Sequence, residues 1–314
     1  MNPSWNERLR PGRTITAMSA VLLPFTETGE IDWPGFSGHL DRTIAAGLVP
    51  AVNMDTGFGP VLAAADRLAV LAFARRAGVA FVAGAHAPDA PGARFDLDAY
   101  RTEFDHIAAA GGTPIVFPSH GLAALGDEEL VQAHVDLARD LDRFYGFELG
   151  AMFHPAGRIY SIAVFEALLA IPKLVGAKHS SLDRSLELDR LAVRDAIRPE
   201  FMVLTGNDLA IDMVMYGSDY LLGLSTFAPD GFAARDAAWS RGDEARFFAL
   251  NDLLQYLGML AFRPPVPGYR HDAAMFLRLR GEIACDRTHP DSPVRPGSDR
   301  ELLADIADRL VALL

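Results

Sequence analysis

Along this chain, short apolar runs alternate with longer segments whose apolar residues recur every three to four positions, the periods of buried strands and of helices packed on one face. The first run covers 15–25 and ends in the turn chemistry of Thr26-Glu-Thr-Gly-Glu-Ile-Asp. A helix over 33–46 follows, with Phe36, Leu40 and Ile44 on one face and Gly47 past its end. The alternation then repeats. Strands are predicted over 49–54, 79–85, 114–117, 148–153, 174–178, 201–205 and 220–224, and helices over 63–77, 97–110, 127–144, 162–171, 186–197, 209–216 and, as one long stretch, 232–262.

Strict alternation calls for parallel pairing, because parallel neighbours need a crossover of helix length. Eight such units in roughly 240 residues predict a closed (β/α)8 barrel. The open doubly wound sheet is the rival, and the missing Gly-x-Gly-x-x-Gly turn after the first strand counts against it. Past 262 the proline-rich link Arg263-Pro-Pro-Val-Pro-Gly leads to helices over 272–283 and 301–314. The organisation read from this pattern is an N-terminal arm over 1–13, a barrel over 14–262 and a C-terminal helical extension over 263–314.

Working residues of such barrels sit at the C-terminal ends of the strands. The second strand runs out into Asn53-Met-Asp55-Thr56-Gly57, the third into His86, the fourth into Ser119-His120 and the fifth into Phe153-His154. The sixth ends in Lys178-His179-Ser180, the seventh runs into Asn207-Asp208, and the eighth carries Leu222. Four of the 9 histidines therefore fall at one rim, while His39, His106, His134, His271 and His289 fall on helices or in loops, where solvated or capping roles are expected.

Composition narrows what this rim can do. The net charge of -12 and the pI near 5.2 argue against a nucleic-acid or anionic membrane surface, so a small molecule is the expected partner. Cys285 is the single cysteine, which rules out an intrachain disulfide and suits a reducing compartment. No signal-peptide pattern opens the sequence and no apolar stretch approaches the roughly 18 residues of a membrane span, so a cytoplasmic protein is expected. Among 29 lysines and arginines only Lys173 and Lys178 are lysine. Arginine stays protonated, whereas an amine in a dry pocket can lose its proton and attack a carbonyl.

Two chemistries fit. In one, Lys178 forms a Schiff base with an oxo compound and the protonated imine serves as electron sink, with His154, His179 and Arg158 as neighbours able to favour the neutral amine. In the other, Asp55, His86, His120 and His154 hold a divalent metal, although no local spacing matches a closed metal motif. A barrel that only binds a metabolite is a third, non-catalytic alternative.

The residues around the rim resemble the dihydrodipicolinate synthase and N-acetylneuraminate lyase family of class I aldolases, over about 16–262. Leu23-Pro24-Phe25 with Gly29-Glu-Ile-Asp32 is similar to that family's opening pattern. Met54-Asp55-Thr56-Gly57-Phe58 lies where it has Gly-Thr-Thr-Gly-Glu, and Phe153-His154-Pro155-Ala156-Gly157-Arg158 lies over Tyr-Asn-x-Pro-Gly-Arg. Gly176-Ala177-Lys178-His179-Ser180-Ser181 matches Gly-x-Lys-Asp-Ser-Ser, and Thr205-Gly206-Asn207-Asp208 matches Ser-Gly-Asp-Asp.

The resemblance implies a barrel with a helical tail, a homo-oligomer (tetramer or dimer), and Lys178 as the Schiff-base lysine for a 2-oxo acid such as pyruvate, with no cofactor. It implies Arg158 as a substrate-carboxylate partner and Thr56, with Gly57, as part of the carboxylate pocket; Phe153, His86, Asn207 and Leu222 complete the predicted substrate-binding set. The chain also departs from the pattern. Phe153 replaces the family's proton-shuttling tyrosine, Asp55 and His120 replace its relay partners, and Phe58 replaces a glutamate. An Asp55–His120 pair, or His154, is the expected substitute for proton transfer.

Overall fold

The apolar runs pair as eight parallel strands: β1 (Ala17–Ala20), β2 (Val49–Val52), β3 (Val82–Ala85), β4 (Thr113–Val116), β5 (Phe144–Leu149), β6 (Leu174–Ser180), β7 (Met202–Thr205) and β8 (Asp219–Leu222). Each hydrogen-bonds to the next, and β8 pairs with β1 to close the barrel. The computed structural model describes residues 5–314, so residues 1–4 of the predicted arm lie outside the described residues.

A four-residue helix, α1 (Trp5–Arg8), precedes β1. The outer ring comprises α2 (Trp33–Ala45), α3 (Ala64–Arg76), α4 (Leu97–Ala109), the single turn α5 (His120–Ala123), α6 (Asp127–Leu137), α7 (Ile162–Leu168), α8 (Arg184–Ile197), α9 (Pro229–Ser240) and α10 (Glu244–Ala261). Two further helices, α11 (Tyr269–Leu279) and α12 (Asp299–Leu313), follow. Several starts are written in the sequence. Asp32, Asp96, Ser161 and Asp183 each accept a backbone N–H from the first turn of α2, α4, α7 and α8, taking up amides that have no partner inside the helix.

Side chains on each strand alternate between two cores. Met18, Ala51, Ile115, Phe147, Leu204 and Leu221 fill the barrel interior. Val52, Val116, Ala177, Val203 and Leu222 face outward into the sheath of helices. Lys178 stands in register with Phe147 on β5 and Leu204 on β7. Both neighbours point inward, so the lysine does too.

The structure departs from the predicted elements in four places. The helix predicted over 127–144 ends with Leu137, and the fifth strand begins at Phe144, because Phe144-Tyr-Gly-Phe-Glu-Leu is buried on both faces and pairs with β6. Phe153 and His154 therefore lie in the following loop and not at a strand end. The helix over 209–216 is only a 3-10 segment, Ile211–Tyr216. The stretch over 232–262 breaks into α9 and α10 at Gly242, whose φ of 74° is the left-handed geometry glycine adopts without strain.

Beyond α10 the chain turns back on the barrel. The Arg295 guanidinium donates to the carbonyl oxygens of Ala261 and Arg263 and to the buried Asp272 carboxylate, tying α11 to the end of α10. Among the described residues, no helix is long and apolar enough to cross a membrane.

Candidate active site

Lys178 lies two residues inside the end of β6 and is 3% exposed. Its ammonium sits 4.5 Å from the centre of the Phe147 ring and 4.0 Å from Asp55 Oδ1. Gly206, past the end of β7, makes the space: a Cβ there would stand 2.6 Å from Lys178 Cε and 2.0 Å from Ser180 Oγ. Ser180 points inward like Lys178, and its hydroxyl is buried without a hydrogen-bond partner. Lys173, by contrast, is on the surface, donating to the Arg139 carbonyl at 3.0 Å.

Asp55 and Thr56 reach the same place from the loop after β2. That loop is strained: Asn53 and Phe58 take φ of 52° and 61°, a left-handed geometry that costs a bulky side chain about 1–2 kcal/mol. Packing holds it there. The Phe58 ring meets Phe25 edge-on at 5.4 Å, stacks with His289 at 5.9 Å, and lies under the Arg270 guanidinium at 4.9 Å, while Arg270 donates to the Asp55 carbonyl at 3.1 Å.

The carboxylate of Asp55 is held from the C-terminal extension. Tyr269, the first residue of α11, donates its hydroxyl to Asp55 Oδ2 at 2.9 Å and hydrogen-bonds Thr56 Oγ1 at 2.8 Å. Asp55 Oδ1 has no hydrogen-bond partner. Burial, and then the Asp55 charge, push the Tyr269 phenol well above its usual range, so it stays a donor at physiological pH. Its ring stacks on Phe262 at 4.3 Å, and Phe262 in turn meets the half-buried Phe153 at 6.4 Å.

A second carboxylate lies close by. Asp208 is buried and accepts the Leu224 N–H at 2.7 Å. Burial pushes it up to about 7, against the pull of the Lys178 charge. Sequence reasoning missed the part played by both Tyr269 and Asp208. Asp208 was in view within Thr205-Gly206-Asn207-Asp208, whereas nothing local to Tyr269 says that the chain after Pro267-Gly268 folds over the barrel mouth.

Other expectations are corrected. The Asp55–His120 pair does not form: Tyr269 takes Asp55 Oδ2, Oδ1 has no hydrogen-bond partner, and His120 is turned elsewhere, with its ring 6.4 Å from His154 and its backbone N–H on Asp89. His154 is half-buried, and burial followed by the neighbouring His120 lowers its pKa. His86 is set against Phe117 at 4.3 Å with Nε2 on the Asn53 carbonyl at 2.7 Å, and burial lowers it to about 3, so it is neutral and used by the loop it supports.

Asn207 spends its amide on the Leu182 N–H and on Glu187, beside the strained Leu182 backbone, and not on the pocket. Leu222 faces the helices; Leu221 takes the interior position. His179 is on the outer face of β6, hydrogen-bonded to Glu148 at 3.1 Å and to Ser181 at 2.7 Å, and so is no neighbour of the amine. The Arg158 guanidinium is engaged by Asp127 and by the carbonyls of Ala123 and Leu125. Among the described residues no three His, Cys, Asp or Glu side chains gather as a metal site, since Asp55 and His86 are turned to Tyr269 and Asn53. His39 and His134, expected in solvated places, are buried and hydrogen-bond Thr226 and the Leu130 carbonyl.

No protein-family model matches the chain. It is 30% identical over 323 residues to a probable 5-dehydro-4-deoxyglucarate dehydratase 2 of Streptomyces avermitilis, covering 98% of this chain and 88% of that one. The chain belongs to the dihydrodipicolinate synthase family of lyases. A 4-hydroxy-tetrahydrodipicolinate synthase of Kosmotoga olearia is 25% identical over 236 residues, 72% of this chain and 76% of the relative. The family fold recurs in solved structures. A prophage protein of the dihydrodipicolinic acid synthase family from E. coli K12, in complex with pyruvate, superposes with a TM-score of 0.81 at 18% identity over 94% of this chain and 98% of that one. KD(P)GA from T. tenax superposes with a TM-score of 0.74 at 16% identity, over 96% and 100%.

Proposed function

We propose that this family member is a Schiff-base lyase, an aldolase or a dehydratase, acting on a small 2-oxo acid or related oxo compound through Lys178. The observation that carries the reading is the inward, buried lysine in a layer with Phe147 and Leu204, beside the unpartnered Asp55 Oδ1. A surface lysine has no reason to occupy that layer, since burying an ammonium is costly without compensation. The pyruvate complex of the related fold and the dehydratase and synthase names of the relatives support the same chemistry.

In this reading the neutral amine attacks the carbonyl carbon, the carbinolamine loses water, and the iminium draws electrons from the adjacent carbon. Loss of a hydroxyl one carbon further on gives dehydration; breakage of the next C–C bond gives aldol cleavage. The 30% identity to a dehydratase over nearly the whole chain favours the first. Thr56 and Gly57 border the place for the group flanking the carbonyl, and Arg158 reaches a substrate carboxylate only by exchanging Asp127. The imine itself is the electron sink, so the reading names no metal or other cofactor. A cytoplasmic homo-oligomer belongs to the same reading.

Turnover of a panel of 2-oxo acids bearing a hydroxyl two carbons from the carbonyl tests it. Lys178→Arg keeps the charge and removes the nucleophile; turnover is expected to fall at least ~1,000-fold. Wild-type turnover by that variant rules the Schiff-base reading out.

A further inference from the structure

We propose that the C-terminal extension completes the catalytic site: Asp55 is the base that moves the substrate proton beside Lys178, and Tyr269 is the positioning residue that aims it. The inference rests on the Schiff-base reading and adds to it the group that does the work Phe153 has no hydroxyl to do.

The geometry points to this pair. Asp55 has two carboxylate oxygens in different situations. Oδ2 accepts from Tyr269 at 2.9 Å, and Oδ1 is buried, has no hydrogen-bond donor and faces Lys178 Nζ at 4.0 Å. Asp272 Oδ1 and Glu282 Oε2 are also buried without a hydrogen-bond partner, but of these three Asp55 Oδ1 is the one that faces the Lys178 amine, with its lone pairs free to take a proton. In an imine the carbon that loses the proton lies two bonds beyond Nζ, so a substrate seated on the Asp55 side of the lysine brings it toward Oδ1, and transfer requires the two to close to roughly 3 Å. Tyr269 is fixed from its other side by Thr56 Oγ1 at 2.8 Å and by stacking on Phe262 at 4.3 Å. The phenol therefore sets the rotation of the carboxylate.

For dehydration the step balances as follows. Asp55 takes the proton from the carbon next to the iminium carbon; the C–H electron pair becomes the new C=C bond, and the C=N pair moves to nitrogen. The enamine then returns its electrons, the C–O bond to the hydroxyl one carbon further breaks, and the Asp55 carboxyl gives its proton to that oxygen, which leaves as water. Asp55 ends as it began. Tyr269 keeps its proton throughout, and its hydrogen bond strengthens whenever Asp55 is the anion. The titratable and charged groups facing the pair are Lys178, Asp208, Arg270, the buried His86 and, across the mouth, His154.

The test is exchange of the methyl hydrogens of pyruvate for deuterium in D2O, with dihydroxyacetone as an uncharged second probe, read alongside borohydride trapping on Lys178. Asp55→Asn still accepts the Tyr269 hydroxyl, so the loop keeps its hydrogen bond; it is expected to trap ketone at Lys178 yet exchange at least ~100-fold more slowly. Tyr269→Phe keeps the ring on Phe262, and is expected to trap ketone with an unchanged apparent KM yet exchange about 10-fold more slowly, because the carboxylate has lost the donor that aims it. Loss of a merely structural tyrosine would impair trapping and exchange alike. Normal trapping with wild-type exchange in either variant overturns the pair while leaving the Schiff base intact. Absence of trapping with both probes in the unaltered protein overturns the Schiff-base reading and the pair with it.

Discussion

Gly206 lies so close to Lys178 that a Cβ at its position would stand 2.6 Å from the lysine Cε. The same Cβ would meet Ser180 Oγ at 2.0 Å, so neither inward side chain of β6 keeps its rotamer. Gly206→Ala is expected to destabilise the fold by about 1–3 kcal/mol, the usual cost of overpacking, and to slow adduct formation at Lys178 by more than 10-fold. Thermal unfolding together with the rate of borohydride-dependent labelling checks both numbers.

Behind the lysine strand, Glu148 and Arg190 form a buried pair, with N–O distances of 2.7 and 2.5 Å, that also receives His179. Burial pushes the Glu148 carboxyl up, but His179 and Arg190 outweigh it and hold it at about 2, below its ordinary 4.5. The unfolded chain thus binds this proton more tightly than the folded one. The contribution is complete above pH 4.5 and is lost as pH falls toward 2. Arg190→Ala leaves the carboxylate buried with one partner fewer, so a loss of about 3–5 kcal/mol is expected at neutral pH, with a smaller loss at pH 3, where the carboxyl is more easily protonated. Melting temperatures of the two proteins across pH 3–7 give the comparison.

Asp208 runs the other way. Its folded value of about 7 lies above the ordinary 3.8, so the folded state prefers the proton; its stabilising share is complete below pH 3.8 and gone as pH rises past 7. Asp208→Asn retains an acceptor for the Leu224 N–H and removes the charge. The melting temperature is expected to rise by several degrees at pH 8 and to change little at pH 4, as unfolding monitored at the two pH values will show.

Arg295 holds the extension through the Ala261 and Arg263 carbonyls and Asp272. Arg295→Ala leaves Asp272 buried beside Arg263 alone and frees the start of α11. A turnover loss of about 10-fold at unchanged KM is expected, since Tyr269 then aims Asp55 less well while the substrate contacts of the barrel remain. A steady-state comparison of kcat and KM measures it.

How much of this was legible in the residues varies with range. The alternation of apolar runs with helical periods is a local signal, and it led to the closed parallel barrel. Lys178 stood out by residue type alone, because an arginine-rich chain kept a lysine at the end of a buried strand. The sequence puts the fifth strand at 148–153 because the apolar positions of α6 continue at helical spacing through Leu141 and Phe144; only pairing with β6 shows that Phe144 opens a strand. A strand over 148–153 has Phe153 and His154 at its end, whereas in the structure both lie in the loop after β5. Histidine at the rim looked like chemistry, yet His86 serves a loop carbonyl and His120 faces His154, because the use of an imidazole is decided by partners distant in sequence. Tyr269 was out of reach for the same reason: 214 positions separate it from Asp55.

Lys178 as the imine-forming residue is the claim on which the rest depends, and reduction with borohydride in the presence of pyruvate tests it most directly. Only Lys173 and Lys178 among the side chains can carry such an adduct, and Lys173 is a surface residue, so peptide mass mapping separates them cleanly. The account predicts a stoichiometric, pyruvate-dependent mass gain on the peptide containing Lys178, none on that containing Lys173, and none in Lys178→Ala. An adduct on Lys173, or none on Lys178 across a panel of small oxo compounds, would contradict it.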